Sequence, residues 1–333
     1  MKIEIIAELA QGFEGCPEQS RLLIKAASVA GADAAKFQLV FADELATPDY
    51  KFYNLFKSLE MPDDAWIGLG NYAAELGIQL QLDIFGARSL ALAQAAGVDT
   101  VKLHGTDIAN VGLLKQVASS NIERILLGAG GAHFSELEQA IEILSDKRVV
   151  ILLGFQGYPT PDSANQVDRV RLLSARIAST LPNVVLGFAD HAMPDNPLRY
   201  AIPAMAIGAG ATVLEKHLTL GKVMKLEDHE AALNPDEFFE FTQTMRVCAD
   251  ALGVASEADD FGMSESESSY RKVIRRHVVA CRNLESGAVV MPSDLTLKRS
   301  SSEQVITNLS LVYHKTIKRR VQINTPVSPE DIL

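Results

Sequence analysis

Cysteine is scarce in this chain. There are three, Cys16, Cys248 and Cys281, far apart and without a CxxC pair. An odd, dispersed set argues against a disulfide framework and against a cysteine-built zinc site. Basic charge is also in deficit: 31 lysines and arginines face 42 acids, a net charge of -11. A nucleic-acid binder needs a basic face to displace phosphate counterions, so that class is set aside. An anionic small molecule stays open, because a few lysines in a cleft focus their field locally. Long apolar runs are missing too: no uncharged stretch approaches the ~20 residues of a membrane span. The opening Met1-Lys2-Ile3-Glu4-Ile5-Ile6-Ala7-Glu8 carries two acids where a signal peptide needs an unbroken apolar run. A cytoplasmic protein without a membrane partner is expected.

What is present suits a large core: 333 residues, 47% hydrophobic and 22% charged. Short apolar runs alternate with longer amphipathic stretches. The runs are Ile3–Ala7, Ala34–Leu39, Gln79–Ile84, Thr100–Leu103, Arg124–Leu127, Val149–Leu153, Val184–Gly187 and Thr212–Leu214. Helical patterns lie between them, among them Pro17–Ala30, Ser89–Ala96, Ser135–Leu144 and Pro197–Ile207. Eight strand-helix units with strands apolar on both faces predict an α/β chain whose parallel strands close into a (β/α)₈ barrel. Gly31, Gly97 and Gly210 each follow a helical stretch, where a left-handed C-cap is needed. The strands after them lead to Lys36, Lys102 and Glu215-Lys216-His217, at the end of a barrel where active sites form. After Leu252 the composition shifts, and residues 255–272 are polar and acidic. The expected organisation is a barrel over 1–254, a linker over 255–272 and a compact, strand-rich module over 273–333.

His191 and His217 end the seventh and eighth runs. Adjacent parallel strands lie about 4.8 Å apart, so the two imidazoles can reach one ion, and imidazole suits Mn²⁺, Zn²⁺ or Fe²⁺. The alternative is two separate histidines hydrogen-bonded at loop starts. Glu8 ends the first run, where a carboxylate can serve as general acid or base, or simply pair with Lys36. Asp228, followed by His229, adds a ligand or a base, or is a solvated loop residue.

In order along the chain stand Ala7-Glu8, Lys36-Phe37-Gln38, Val101-Lys102-Leu103, Tyr158-Pro159-Thr160-Pro161, Asp190-His191, Glu215-Lys216-His217 and Asp228-His229. This succession resembles the N-acetylneuraminate (sialic acid) synthase family. The stretch Arg275-Arg276-His277-Val278-Val279-Ala280, with Gly287, Asp294-Leu295-Thr296 and Lys298-Arg299, resembles that family's antifreeze-like (SAF) domain. The resemblance implies a small mainly-β SAF cap on the barrel and a condensation of phosphoenolpyruvate with an N-acyl hexosamine, giving a 2-keto-3-deoxy sugar acid and phosphate. It implies a divalent metal, Mn²⁺ or Mg²⁺, on His191 and His217. It assigns Lys36 and Lys102 to phosphoenolpyruvate, Gln38 and Tyr158 to substrate binding, and Glu8 and Asp228 to acid/base work and sugar binding. Arg299 resembles the arginine that the cap delivers into a partner subunit, implying a domain-swapped homodimer.

Several family positions differ. Gly12-Phe13 replaces Asn-His, Leu82-Asp83-Ile84-Phe85 replaces Ser-Thr-Pro-Phe, and Arg299-Ser300-Ser301 replaces Arg-Pro-Gly. The family's serines are lost at Gly105, beside His104, at Ala189, and in Gly128-Ala129-Gly130-Gly131. The backbone amides of that loop, Gly128 and Gly130 included, can bind an anion in place of hydroxyls. Kept histidines and lysines with an altered floor suggest a changed substrate more than an inactive chain. Two competing readings are a Schiff-base aldolase using Lys36 or Lys102 and a non-catalytic sugar-binding protein on the same scaffold.

Overall fold

The computed structural model describes residues 2–154, 157–177, 183–253, 256, 258–304 and 306–333. It divides into two compact units, Met1–Gly253 and Val254–Leu333. The expected boundary at residues 254 and 255 lies outside the described residues, as does Met1.

In the first unit eight parallel strands pair in chain order and close: β1 (Glu4–Ala10), β2 (Ala34–Gln38), β3 (Gln79–Ile84), β4 (Thr100–Leu103), β5 (Arg124–Gly128), β6 (Arg148–Gly154), β7 (Val184–Asp190) and β8 (Val213–His217). β1 pairs with β8 from Glu4↔Val213 to Glu8↔His217, which seals the barrel. The expected (β/α)₈ barrel is therefore what the chain forms. The strands are buried on both faces, as their unbroken apolar runs require. One face packs on the surrounding helices. The helix Pro17–Val29 is representative. Proline at its first position loses no intrahelical bond, Ser20, Leu23, Ile24 and Ala27 form the buried stripe, and Gly31 beyond its end sits at φ +78°. The other face fills the barrel with Ile6, Ala34, Leu126, Val150, Leu152 and Val213. Side chains alternate along a strand, so Glu8, Lys36, Gly128 and Glu215, two positions further on, face the same interior nearer the carboxyl ends.

Several boundaries differ from expectation: β1 runs on to Ala10 rather than Ala7, and β7 to Asp190 rather than Gly187. β8 carries on past its apolar run, which stops at Leu214, to His217 as expected, because Glu215 and Lys216 are buried and ion-paired inside the protein. The helix expected from Pro197 begins at Ala201. Asn196 Oδ1 accepts the Leu198 amide at 2.8 Å and holds a turn there, the usual competition of asparagine with a helix start.

The second unit contains β9 (Arg276–Ala280) and β10 (Leu295–Arg299), paired antiparallel, over a core that includes Val278, Val290, Val312 and Val327. Residues Glu265–Ile274, which begin within the stretch read as a linker and run two residues past it, form a helix. Ser264 caps it by accepting the Glu267 amide, acids open it and Arg271 and Lys272 close it. It buries none of its side chains, which is why its composition reads as linker. Among the described residues no helix is long and apolar enough to cross a membrane.

Candidate active site

A cavity of about 230 Å³ opens at the carboxyl ends of the strands. Glu8, Gln38 and Lys102 line it from β1, β2 and β4. His191, His217, Tyr158 and Asp228 line another part, and Gly128 and Gly130 a third. Nine of the eleven expected site residues thus share one cavity. The other two do not. Lys36 lies beneath it, with no exposed side-chain surface. Arg299 sits at the exposed end of β10 in the second unit.

The floor is a buried ionic cluster set by strand register. Glu8 stands beside Lys36 and His217, and Asp83 beside Lys102. Lys36 Nζ donates to Glu8 and to Asp83 Oδ1 (2.6 Å), and lies 3.6 Å from Glu215. Lys102, with its side chain 10% exposed, donates to Glu215 Oε1 (2.7 Å) and is 3.8 Å from both Glu8 and Asp83. Asp83 Oδ2 and Glu215 Oε2 are buried and accept no hydrogen bond among the described residues. Burial pushes Glu8 up to about 8 against the pull of Lys36. Burial would raise Glu215 too, but Lys102 and Lys36 outweigh it and hold that carboxyl well below its ordinary range. Lys36 goes the other way. Burial alone would lower it, yet Asp83, Glu215 and Glu8 hold it well above the ordinary lysine range.

The histidines adjoin this cluster, His217 beside Glu8. Their ring centroids are 5.3 Å apart, with Tyr158 at 5.8 Å from His191 and 5.3 Å from His217. Burial holds His191 down to about 4 and His217 well below its ordinary range, so both rings are neutral at pH 7. Neutral imidazoles lining a cavity from adjacent strands suit a divalent cation. Among the described residues no group of three His, Cys, Asp or Glu is placed to hold one. Any cation here would have the two imidazoles as its protein donors and take its remaining positions from water and substrate.

Behind the histidines lies a pair that sequence reasoning overlooks. Lys216 Nζ donates to Asp190 Oδ2 and to the Ala192 carbonyl, both at 2.8 Å, and Asp190 Oδ1 accepts the Ala192 amide. This buried pair ties the β7 end before His191 to β8 before His217. The available signal is alternation: Lys216 must face away from Glu215 and His217. Asp228, at φ +62°, accepts the Tyr158 hydroxyl with its carbonyl. Burial pushes its carboxyl up to about 6, opposed by the Gln11 amide.

Two of the missing hydroxyls have a steric cause. A Cβ on Gly128 would lie 2.8 Å from the Gly105 nitrogen, and one on Gly105 would lie 2.7 Å from the Gly130 carbonyl oxygen. The loops after β4 and β5 approach too closely for any side chain at either position. Gly128→Ser should therefore restore no phosphate grip. It should cost on the order of 1–3 kcal/mol of stability through overpacking, read as a lower thermal midpoint. A serine variant with wild-type melting and tighter phosphate binding would contradict this.

The NeuB family pattern matches residues 23–257, well over half of the chain. The chain belongs to the NeuB family. Among its relatives, N,N'-diacetyllegionaminic acid synthase of Legionella pneumophila is 27% identical over 350 residues, spanning 98% of this chain and 94% of that protein. Among solved structures, spore coat polysaccharide biosynthesis protein SpsE of Bacillus subtilis matches with TM-score 0.65 and 26% identity, covering 100% of this chain and 95% of that one. The N-acetylneuraminic acid (sialic acid) synthetase of Leptospira borgpetersenii, solved with citrate, shares the fold with TM-score 0.71 and 24% identity, covering 83% and 93%.

Proposed function

We propose that this NeuB-family chain condenses phosphoenolpyruvate with the open-chain aldehyde of an N-acyl hexosamine, releasing phosphate and a 2-keto-3-deoxy sugar acid. The observation that carries the reading is the convergence of two neutral histidines, Lys102 and the carboxyls Glu8 and Asp228 on one cavity at the catalytic end of the barrel. His191 and His217 would hold a divalent cation, Mn²⁺ or Mg²⁺, which when bound polarises the aldehyde. Lys102 faces the cavity and holds the donor anion, with Gln38 and the amides of Gly128 and Gly130 beside it. C3 of phosphoenolpyruvate forms a bond to the aldehyde carbon. Water adds at C2, and the C2–O bond breaks so that phosphate leaves with the bridging oxygen. Tyr158 and Asp228 face the sugar. As part of the same proposal, Arg299 reaches the site of a partner subunit from a SAF-like second unit, in a cytoplasmic homodimer. The Schiff-base alternative is disfavoured for Lys36, which is buried and held protonated by three carboxyls.

Product analysis tests the reaction. Phosphoenolpyruvate labelled with ¹⁸O in the bridge should yield labelled phosphate, one for each sugar acid formed; label retained in the keto acid would refute C–O cleavage. The carboxyls also set a pH window. Asp228 works ionised, so kcat/KM should rise as pH passes about 6, and Glu8 works as an acid, so it should fall as pH passes about 8. Glu8→Gln should remove the upper limb from whatever activity remains. An upper limb unchanged in Glu8→Gln would show that another group sets it.

A further inference from the structure

Asp83 has no surface on the cavity, yet it sits between the floor lysines Lys36 and Lys102. It is in register with Lys102 on the neighbouring strand, its Oδ1 is 2.6 Å from Lys36 and its Oδ2 is 3.8 Å from Lys102. Glu215 does the same from the other side, 2.7 Å from Lys102 and 3.6 Å from Lys36. The two ammonium groups are matched one for one by these two carboxylates before Glu8 is counted. An anion entering the cavity therefore meets Lys102 with its field already answered. The two glycines at positions 105 and 128 add no hydroxyl donor to compensate.

We propose that Asp83 is a specificity-determining residue, a built-in counterion to Lys36 and Lys102 that keeps phosphate-bearing ligands weakly held, donor and product phosphate alike. Asp83 acts through the lysines and touches no ligand itself. The inference rests on the reading that Lys102 receives an anionic donor. Physically, a buried carboxylate several ångströms from an incoming phosphate repels it and competes for the same ammonium groups. Removing that charge while keeping an oxygen for Lys36 should unmask both lysines.

The test is calorimetric titration of the full chain with inorganic phosphate and with phosphoenolpyruvate, in wild type, Asp83→Asn and Asp83→Ser, alongside steady-state kinetics. Both variants should bind phosphate roughly 10- to 100-fold tighter, as removal of one unit charge at close range implies. KM for phosphoenolpyruvate should fall with it while KM for the aldose stays put. A purely structural role for Asp83 would instead worsen both. Unchanged or weaker phosphate binding in a variant that melts cooperatively overturns the proposal. So does micromolar phosphate binding by the wild type, a result that needs no variant to fold. If phosphate binding tightens in Asp83→Asn but the wild type never turns over phosphoenolpyruvate, the counterion role stands and the catalytic reading fails. Turnover by the wild type with no affinity change in the variants is the reverse case.

Discussion

His217→Ala is expected to lower kcat by about three orders of magnitude or more, and to lower bound Mn²⁺ in step, with the barrel still folded. The expectation follows from geometry and charge state together. His217 ends β8 beside Glu8, its ring 5.3 Å from that of His191, and burial keeps both neutral. In the proposed two-histidine site, loss of one donor would remove half of the protein's hold on the cation. Polarisation of a carbonyl by a bound cation supplies several kcal/mol to the transition state, and each 1.36 kcal/mol is tenfold in rate. The side chain lines a cavity, so its removal enlarges open space more than it breaks packing. Metal content by mass spectrometry and single-turnover kinetics on the same preparation decide the matter. Wild-type metal content and rate in this variant would end the two-histidine reading.

Lys36→Met is expected to destabilise the chain by about 3–5 kcal/mol, the usual consequence of leaving a buried charge without its partner. Its ammonium is enclosed by Glu8, Asp83 and Glu215 with no surface on the cavity. Methionine would match the stem but leave three buried carboxyls facing Lys102 alone. The thermal midpoint should fall on the order of 10 °C. Lys102→Met should act differently. That ammonium faces the cavity, so its loss should raise KM for phosphoenolpyruvate well above any change in KM for the aldose. The sequence by itself predicts the same substrate-binding effect for both lysines. A Lys36→Met chain with wild-type melting and a selective rise in KM for phosphoenolpyruvate would restore that equivalence and remove Lys36 from the structural floor.

These contrasts show which parts of the site are legible in a sequence. Strand β3 follows to the residue from its sequence, in which Leu80, Leu82 and Ile84 supply the apolar burial. The apolar run of β8 stops at Leu214, and although His217 is expected at the strand's end, the partners that bury Glu215 and Lys216 are not in the local pattern. Register brings those partners from β4 and β7, more than twenty residues away, and no local pattern records it. The ion pair of Glu8 with Lys36, one of two readings open for Glu8, does form. It leaves Glu8 on the cavity and Lys36 below it, a distinction of depth that strand order cannot supply. Asp83 is visible in the sequence only as a departure from the family's Ser-Thr-Pro-Phe. Its meaning depends on two lysines brought to it by neighbouring strands. Gly105 and Gly128 likewise look like lost hydroxyls until the two loops are seen to touch.

The central claim is that this cavity joins a phosphoenolpyruvate-derived three-carbon unit to a sugar aldehyde. The measurement that tests it most directly is phosphate release from phosphoenolpyruvate with Mn²⁺ present, across a panel of N-acyl hexosamines and with no sugar added. Release is expected to require one or more of the sugars and to be lost in His217→Ala. Release that proceeds equally without any sugar, or none across the panel while the folded protein binds the sugars, would contradict it.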